Sequence, residues 1–159
     1  MHLAVSNPRI LIYGYGNPGR QDDGLGVFLA EEVEKWAREN HLDHIRTETN
    51  YQLNIEDAAE IHDADIVIFA DASLATEESF RLEKLQPSPR VEFTMHAVDP
   101  AFILYLCDTV YGTFPEAYVL HLKGDSYEMS EGLTAKGQKV LKEAFGWICS
   151  FLTSKSIPE

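Results

Sequence analysis

Apolar positions along this chain change their spacing from continuous runs to helical stripes and back. Ile10-Leu11-Ile12-Tyr13 is a short apolar run closed by Gly14, the pattern of a buried strand. Leu25, Phe28, Leu29, Val33 and Trp36 then fall on one stripe at helical periodicity, which predicts an amphipathic helix after Asp22-Asp23-Gly24. Residues 44–48 form a weaker strand candidate. Asn54, with Asp57 three positions later, reads as a helix N-cap opening a helix to about Ile61. Ile66-Val67-Ile68-Phe69-Ala70 is the clearest strand, and it ends at Asp71. Residues 80–82 and 91–94 are short strand candidates separated by Pro87-Ser88-Pro89, a turn or loop. Asp99-Pro100 opens the next helix, because aspartate caps and proline is preset for the first helical position. Ile103, Leu106, Cys107 and Val110 give that helix its apolar face. Tyr118-Val119-Leu120-His121-Leu122 reads as a strand. Thr134 starts the last helix, with Leu141, Ala144, Phe145, Ile148 and Leu152 on its buried stripe, and the tail from Ser154 is expected to fray.

Strands alternate with helices from end to end. This predicts an α/β fold, a three-layer sandwich with a mostly parallel central sheet and helices on both faces. The 159 residues suit one domain, 1–159, without repeat, linker or low-complexity segment.

Composition narrows the partners. The hydrophobic share of 45% supports a substantial single core. Asp and Glu number 26 against 13 Lys and Arg, a formal net charge of -13. Such a surface repels nucleic-acid phosphates and anionic membranes, so neither is expected as a partner. It serves solubility first, and it suits a cation or a basic partner. Cys107 and Cys149 sit in apolar helical patterns, far from any second Cys or His at zinc spacing, and read as reduced core residues. The first residues lack a charged segment followed by an apolar one, and no apolar run approaches the ~20 residues that span a bilayer. The expected compartment is the cytoplasm, with no membrane insertion.

Open α/β sheets bind ligands at the carboxyl ends of their strands. Three segments bring polar groups there: the loop from Gly14 to Gly24, the strand ending in Asp71, and the candidate strand 91–94 leading to His96. Gly14-Tyr15-Gly16-Asn17-Pro18-Gly19 matches the dinucleotide pattern G-x-G-x-x-G. A dinucleotide, however, needs the helix to begin on the glycines with free N–H groups. Here Pro18 removes one donor, the helical pattern starts only after Asp23, and two carboxylates stand where a pyrophosphate must approach. Plain structural readings exist as well. Asp22 or Asp23 can cap the helix, Asp71 can be a loop or cap residue, and His96 can be a core histidine. His62 and His121 read as structural, and His2, His41 and His44 as surface residues. Two carboxylates and an imidazole at one sheet edge would suit a borderline divalent metal with open coordination positions. The absence of cysteine argues against a tight structural zinc site.

Tyr13-Gly14-Tyr15-Gly16-Asn17 followed by Asp22-Asp23-Gly24-Leu25-Gly26 resembles the N-terminal signature of the hydrogenase maturation proteases. Ile68-Phe69-Ala70-Asp71-Ala72 resembles that family's second motif, and His96 before Asp99-Pro100 its third. Phe114-Pro115 and Glu131-Gly132-Leu133-Thr134 also look like the family. The resemblance covers nearly the whole chain in order. It implies an endopeptidase that removes the C-terminal peptide of a nickel–iron hydrogenase large-subunit precursor after nickel insertion. It also implies Asp23, Asp71 and His96 as the metal-contacting and catalytic residues. Asp23 is a shorter ligand than the Glu of some members. Some members also carry a glycine-rich stretch where this chain has residues 50–57, which makes Gln52 a candidate substrate contact beside its plain reading as a loop residue.

No Ser/His/Asp or Cys/His set accompanies these motifs. A metal could polarise the scissile carbonyl or activate water. Alternatively, nickel already held by the substrate binds Asp23, Asp71 and His96 as a recognition anchor, with a carboxylate as general base. The second option explains why cleavage awaits nickel, and it makes nickel a part of the substrate, with no other cofactor expected. Two other functions stay open. A flavodoxin-like nucleotide- or flavin-binding module would rest on G-x-G-x-x-G alone. A non-enzymatic nickel chaperone for hydrogenase assembly would use the same three residues without breaking a bond.

Overall fold

The structure, a computed structural model, describes residues 7–90 and 98–156. The strand candidate at 91–94 and His96 lie outside the described residues. The elements run β1 (Ile10–Tyr15), α1 (Leu25–Glu39), β2 (Ile45–Asn50), α2 (Asp57–Ile61), β3 (Ile66–Ser73), β4 (Phe80–Lys84), α3 (Pro100–Tyr111), β5 (Glu116–Lys123) and α4 (Ala135–Ser156), with a 3-10 turn at Gln21–Gly24. The five-stranded sheet has the order β2-β1-β3-β5-β4. All pairs are parallel except β4 with β5, which makes β4 an antiparallel edge.

Helices cover both faces, as the alternating pattern predicts. On one face Ile12, Ile68, Leu120 and Leu122 meet Leu29 and Val33 of α1 and Ala144 and Ile148 of α4. On the other, Leu11, Val67, Phe69 and Val119 meet Ile61 of α2 and Ile103, Leu104 and Cys107 of α3. Strand side chains alternate between faces, so a strand covered twice must be apolar at every position. That is why the residues of β1 are buried throughout.

Several local expectations change. Neither Asp22 nor Asp23 caps α1, whose N-cap is Gly24 without a side-chain bond. The 3-10 turn continues directly into the helix, and the two carboxylates bond elsewhere. Helix α2 begins at Asp57 instead of just after Asn54. Only one half of the capping box forms: the Asp57 carboxylate accepts from the Asn54 N–H at 2.8 Å. Asp57 also takes the Tyr13 hydroxyl at 2.9 Å, which ties α2 to β1. Asp99 caps α3 as expected, accepting from the Ala101 N–H at 2.9 Å. Val110 is 66% exposed and so does not belong to the buried face of α3. Cys107 is buried, Cys149 is half-buried, and both are free thiols.

Candidate functional site

The strand order reverses between β1 and β3. From β1 the chain crosses by α1 to β2 on one side, and β3 lies on the other. The carboxyl ends of two such strands leave a crevice, the usual ligand position in this architecture. Register fixes what lines it. The last β1–β3 pair is Gly14 with Ala70, so Tyr15 and Asp71 follow side by side where the two strands part. Alternation turns both toward the α2–α3 face, along with His121, which is paired with Asp71 across β3 and β5. Strand β3 does not stop at Asp71; it runs on to Ser73 against β5. Asp71 is therefore a strand residue held by backbone pairing, not a loop or capping residue.

Asp23 reaches the same crevice from the loop after β1. Its carboxylate accepts from the Asn17 N–H at 3.1 Å. Gly16, at φ +137°, lies so close that a Cβ there would stand 2.0 Å from the Asp23 carbonyl oxygen. Only glycine takes that conformation and that approach, so the loop sequence serves to press Asp23 against the end of β1. Asn17 closes the loop by accepting from the Gly19 N–H at 2.9 Å.

These bonds settle what the glycine pattern does. The Asn17 and Gly19 amides face the side chains of Asp23 and Asn17, and the Gly16 N–H bonds to the Asn50 carbonyl at 3.1 Å. The donors a pyrophosphate would need are engaged, one of them by a negative charge, so the geometry opposes a dinucleotide.

The chemistry of Asp71 is altered by its surroundings. Burial pushes its carboxyl up to about 7, and the charge of Asp23 adds to the effect. A hydrogen bond from the Tyr15 hydroxyl and one from the Ala72 N–H pull the other way. Tyr15, buried beside this carboxylate, is raised well above the ordinary phenol range, by burial first and by Asp71 next. It stays protonated and acts as a donor. A cavity of about 410 Å³ opens over Asp71 and Tyr15, with Asp99, Glu83 and His121 on its walls. His121 Nε2 stands 3.0 Å from Glu83.

Asp22 is placed differently. It is fully buried and accepts from Asp125 N at 2.8 Å, Thr134 N at 2.9 Å and the Thr134 hydroxyl at 2.7 Å. Burial alone would raise its pKa, but these bonds and a longer one from Ser126 outweigh burial and lower it. Thr134 in turn accepts from Gly137 N at 3.0 Å at the start of α4. Asp22 thus fastens the segment between β5 and α4 beneath the site.

Among the predicted site residues, Asp23 and Asp71 come close enough for one carboxylate to act on the other. His96 lies outside the described residues. Gln52 is exposed in the loop after β2. Among the described residues, no three His, Cys, Asp or Glu side chains gather as a metal ligand set. The motifs assign Tyr15 no role, although two-residue alternation from Tyr13 places it on the Asp71 face. Tyr127, in the segment after β5, feels the charges of Asp23 and Asp71, and its ring lies against Gly124.

No family model matches the chain. A curated adenosylhomocysteinase from Saccharolobus solfataricus is 25% identical over 169 aligned positions, which cover 92% of this chain. The chain spans only 37% of that relative's length. Among solved structures, the hydrogenase maturating endopeptidase HybD from E. coli superposes with a TM-score of 0.74 at 20% identity, covering 95% of this chain and 98% of that one. A second endopeptidase from Escherichia coli gives 0.72 at 19% identity, over 94% and 95%. The [NiFe] hydrogenase maturation protease HycI from Thermococcus kodakarensis KOD1 gives 0.70 at 18% identity, over 92% and 94%. At these identities the likeness shows a shared fold along nearly the whole chain.

Proposed function

We propose that this chain is a hydrogenase maturation endopeptidase that removes the C-terminal peptide from a nickel–iron hydrogenase large-subunit precursor in the cytoplasm. One observation carries the reading. Two carboxylates meet at the switch point of a fold shared with solved structures named as maturation proteases, and one of them is held near neutrality.

The electrostatics support a cation as part of the substrate. A buried carboxylate next to a second one is relieved by any positive charge that reaches both. Nickel already seated in the precursor would offer that charge to Asp23 and Asp71, with His96 as the third contact. The protein's own ligands are few and carry no thiolate, so the substrate supplies the rest of the shell. Asp71 has two oxygens and can face the cation with one and a water molecule with the other. That second oxygen, left free by the cation, is the acceptor for a proton from the water. Tyr15 orients the carboxylate by its hydrogen bond. Gln52, exposed beyond the end of β2, is proposed as a contact for the precursor outside the crevice.

The test is incubation of the purified chain with a nickel-loaded large-subunit precursor, read by intact mass. Loss of a C-terminal peptide is expected, and His96→Ala should abolish it with the fold unchanged. An unchanged precursor mass, with nickel bound or transferred, would instead identify a nickel chaperone.

A further inference from the structure

Eight large apolar side chains are exposed among the described residues, and four of them stand at one edge of the sheet. Tyr51 (71%), Ile55 (56%), Leu74 (61%) and Met129 (80%) lie in the segments that leave β2, β3 and β5. These strands and β1 are parallel, so the four share the carboxyl edge that holds Asp23 and Asp71. The other four belong to α3 and the loop after it. Single exposed apolar residues are ordinary on any surface. Their gathering on the loops of the one edge that carries a candidate site is what calls for a use.

Backbone bonds set them next to the site. The Gly16 N–H donates to the Asn50 carbonyl at 3.1 Å, which holds Tyr51 beside the loop that carries Asp23. Gly16 and Tyr51 line one open cavity of about 270 Å³. The Gln21 N–H donates to the Ser130 carbonyl at 2.9 Å, which holds Met129 beside the same loop from the other side of the chain. Leu74 follows directly on the last residue of β3, the strand that carries Asp71. The cavity over Asp71, about 410 Å³, is of a size that admits a short segment and not a folded protein. A stable protein–protein contact covers about 800 Å² on each partner, so most of it must lie outside that crevice.

We infer that Tyr51, Ile55, Leu74 and Met129 form the docking surface for the folded body of the large-subunit precursor, around the crevice that takes the segment to be cut. The inference rests on the peptidase reading above. Glu56 and Glu128, exposed neighbours of Ile55 and Met129, add negative charge between the apolar side chains. The matching face of the partner is therefore apolar, with basic side chains at its margin.

The experiment compares wild type, the double variant Leu74→Ser/Met129→Ser and Val110→Ser on nickel-loaded hydrogenase large-subunit precursor. It measures kcat and KM for cleavage, Tm, and Kd with each protein also carrying Asp71→Asn so that binding is read without cutting. Serine removes the apolar side chain without adding charge, and exposed positions of this kind move stability little. Val110 is as exposed as Leu74, but it lies near the end of α3, from which the chain enters β5 at its amino end. It therefore stands at the opposite edge and serves as the control. The double variant should weaken Kd and raise KM by about tenfold or more, with kcat and Tm unchanged, and Val110→Ser should change neither Kd nor KM. Wild-type Kd and KM in the double variant, or an equal loss in Val110→Ser, overturns the inference while leaving the peptidase reading intact. If wild type leaves the precursor whole, the peptidase reading fails; Kd then decides, a loss confined to the double variant supporting the docking surface and equal values overturning it. A free chain that sediments as a dimer, and as a monomer in the double variant, would assign this edge to a second copy and overturn the inference.

Discussion

At the scale of single residues, the burial of Asp71 carries a stability cost. Its ordinary value is 3.8 and its folded value about 7, so the folded state binds the proton more tightly than the unfolded chain. Stability from this group is therefore complete below the unfolded value and falls as pH rises toward 7, levelling off above. Asp71→Asn keeps the shape without the charge. It should raise Tm at pH 8, by about 2–4 °C for each kcal/mol relieved, and leave Tm unchanged at pH 4. The same variant should cleave no precursor. Thermal melts at the two pH values check this; equal shifts at both would contradict the burial argument. Asp22 has the opposite sign. Its pKa is lowered, so its contribution is present above the unfolded value and is lost as pH falls through the folded one. Asp22→Ala leaves the N–H groups of Asp125 and Thr134 without their acceptor and should cost about 2–4 kcal/mol in denaturant unfolding. Hydrogen exchange should quicken across residues 124–134.

At the scale of elements, the glycines of the first motif explain how α1 meets the sheet. A Cβ on Gly26 would lie 2.2 Å from the Ala70 carbonyl oxygen, and one on Gly14 would lie 2.1 Å from the Gly26 carbonyl oxygen. Backbone cannot yield there, so the start of the helix rests directly on β1 and β3. Gly26→Ala should therefore cost more than about 1–3 kcal/mol of overpacking and displace Asp23 with the helix. A Tm within 2 °C of wild type, by the conversion of about 2–4 °C per kcal/mol, would contradict it. This packing also shows why the fold was legible in the sequence. The runs at Ile10 and Ile66 and the stripe from Leu25 to Trp36 report burial, which depends on side-chain period alone. The exact end of β3 was not legible, because pairing with β5 carries the strand past the apolar run. Asp71 stood out as a carboxylate ending an apolar run, and Asp23 through the resemblance of its motif. The separate duty of Asp22 did not, since its partners Asp125 and Thr134 lie more than a hundred residues away, at separations of 103 and 112. Tyr127 sits in a loop with no period to fix its direction.

At the scale of the whole molecule, the chain carries a formal net charge of -13. None of its described helices is long and apolar enough to cross a membrane. The switch point of the sheet places Asp23 and Asp71 together from segments far apart in sequence, at the cost of mutual repulsion in the free protein. A substrate that brings its own cation removes that repulsion, and one that lacks it does not. The account therefore ties cleavage to the nickel content of the precursor. The most direct measurement is the mass of nickel-loaded and nickel-free large-subunit precursor after incubation with the chain, with chelator in both samples. Loss of the C-terminal peptide from the nickel-loaded precursor alone is the predicted result. Equal cleavage of the two would contradict the account.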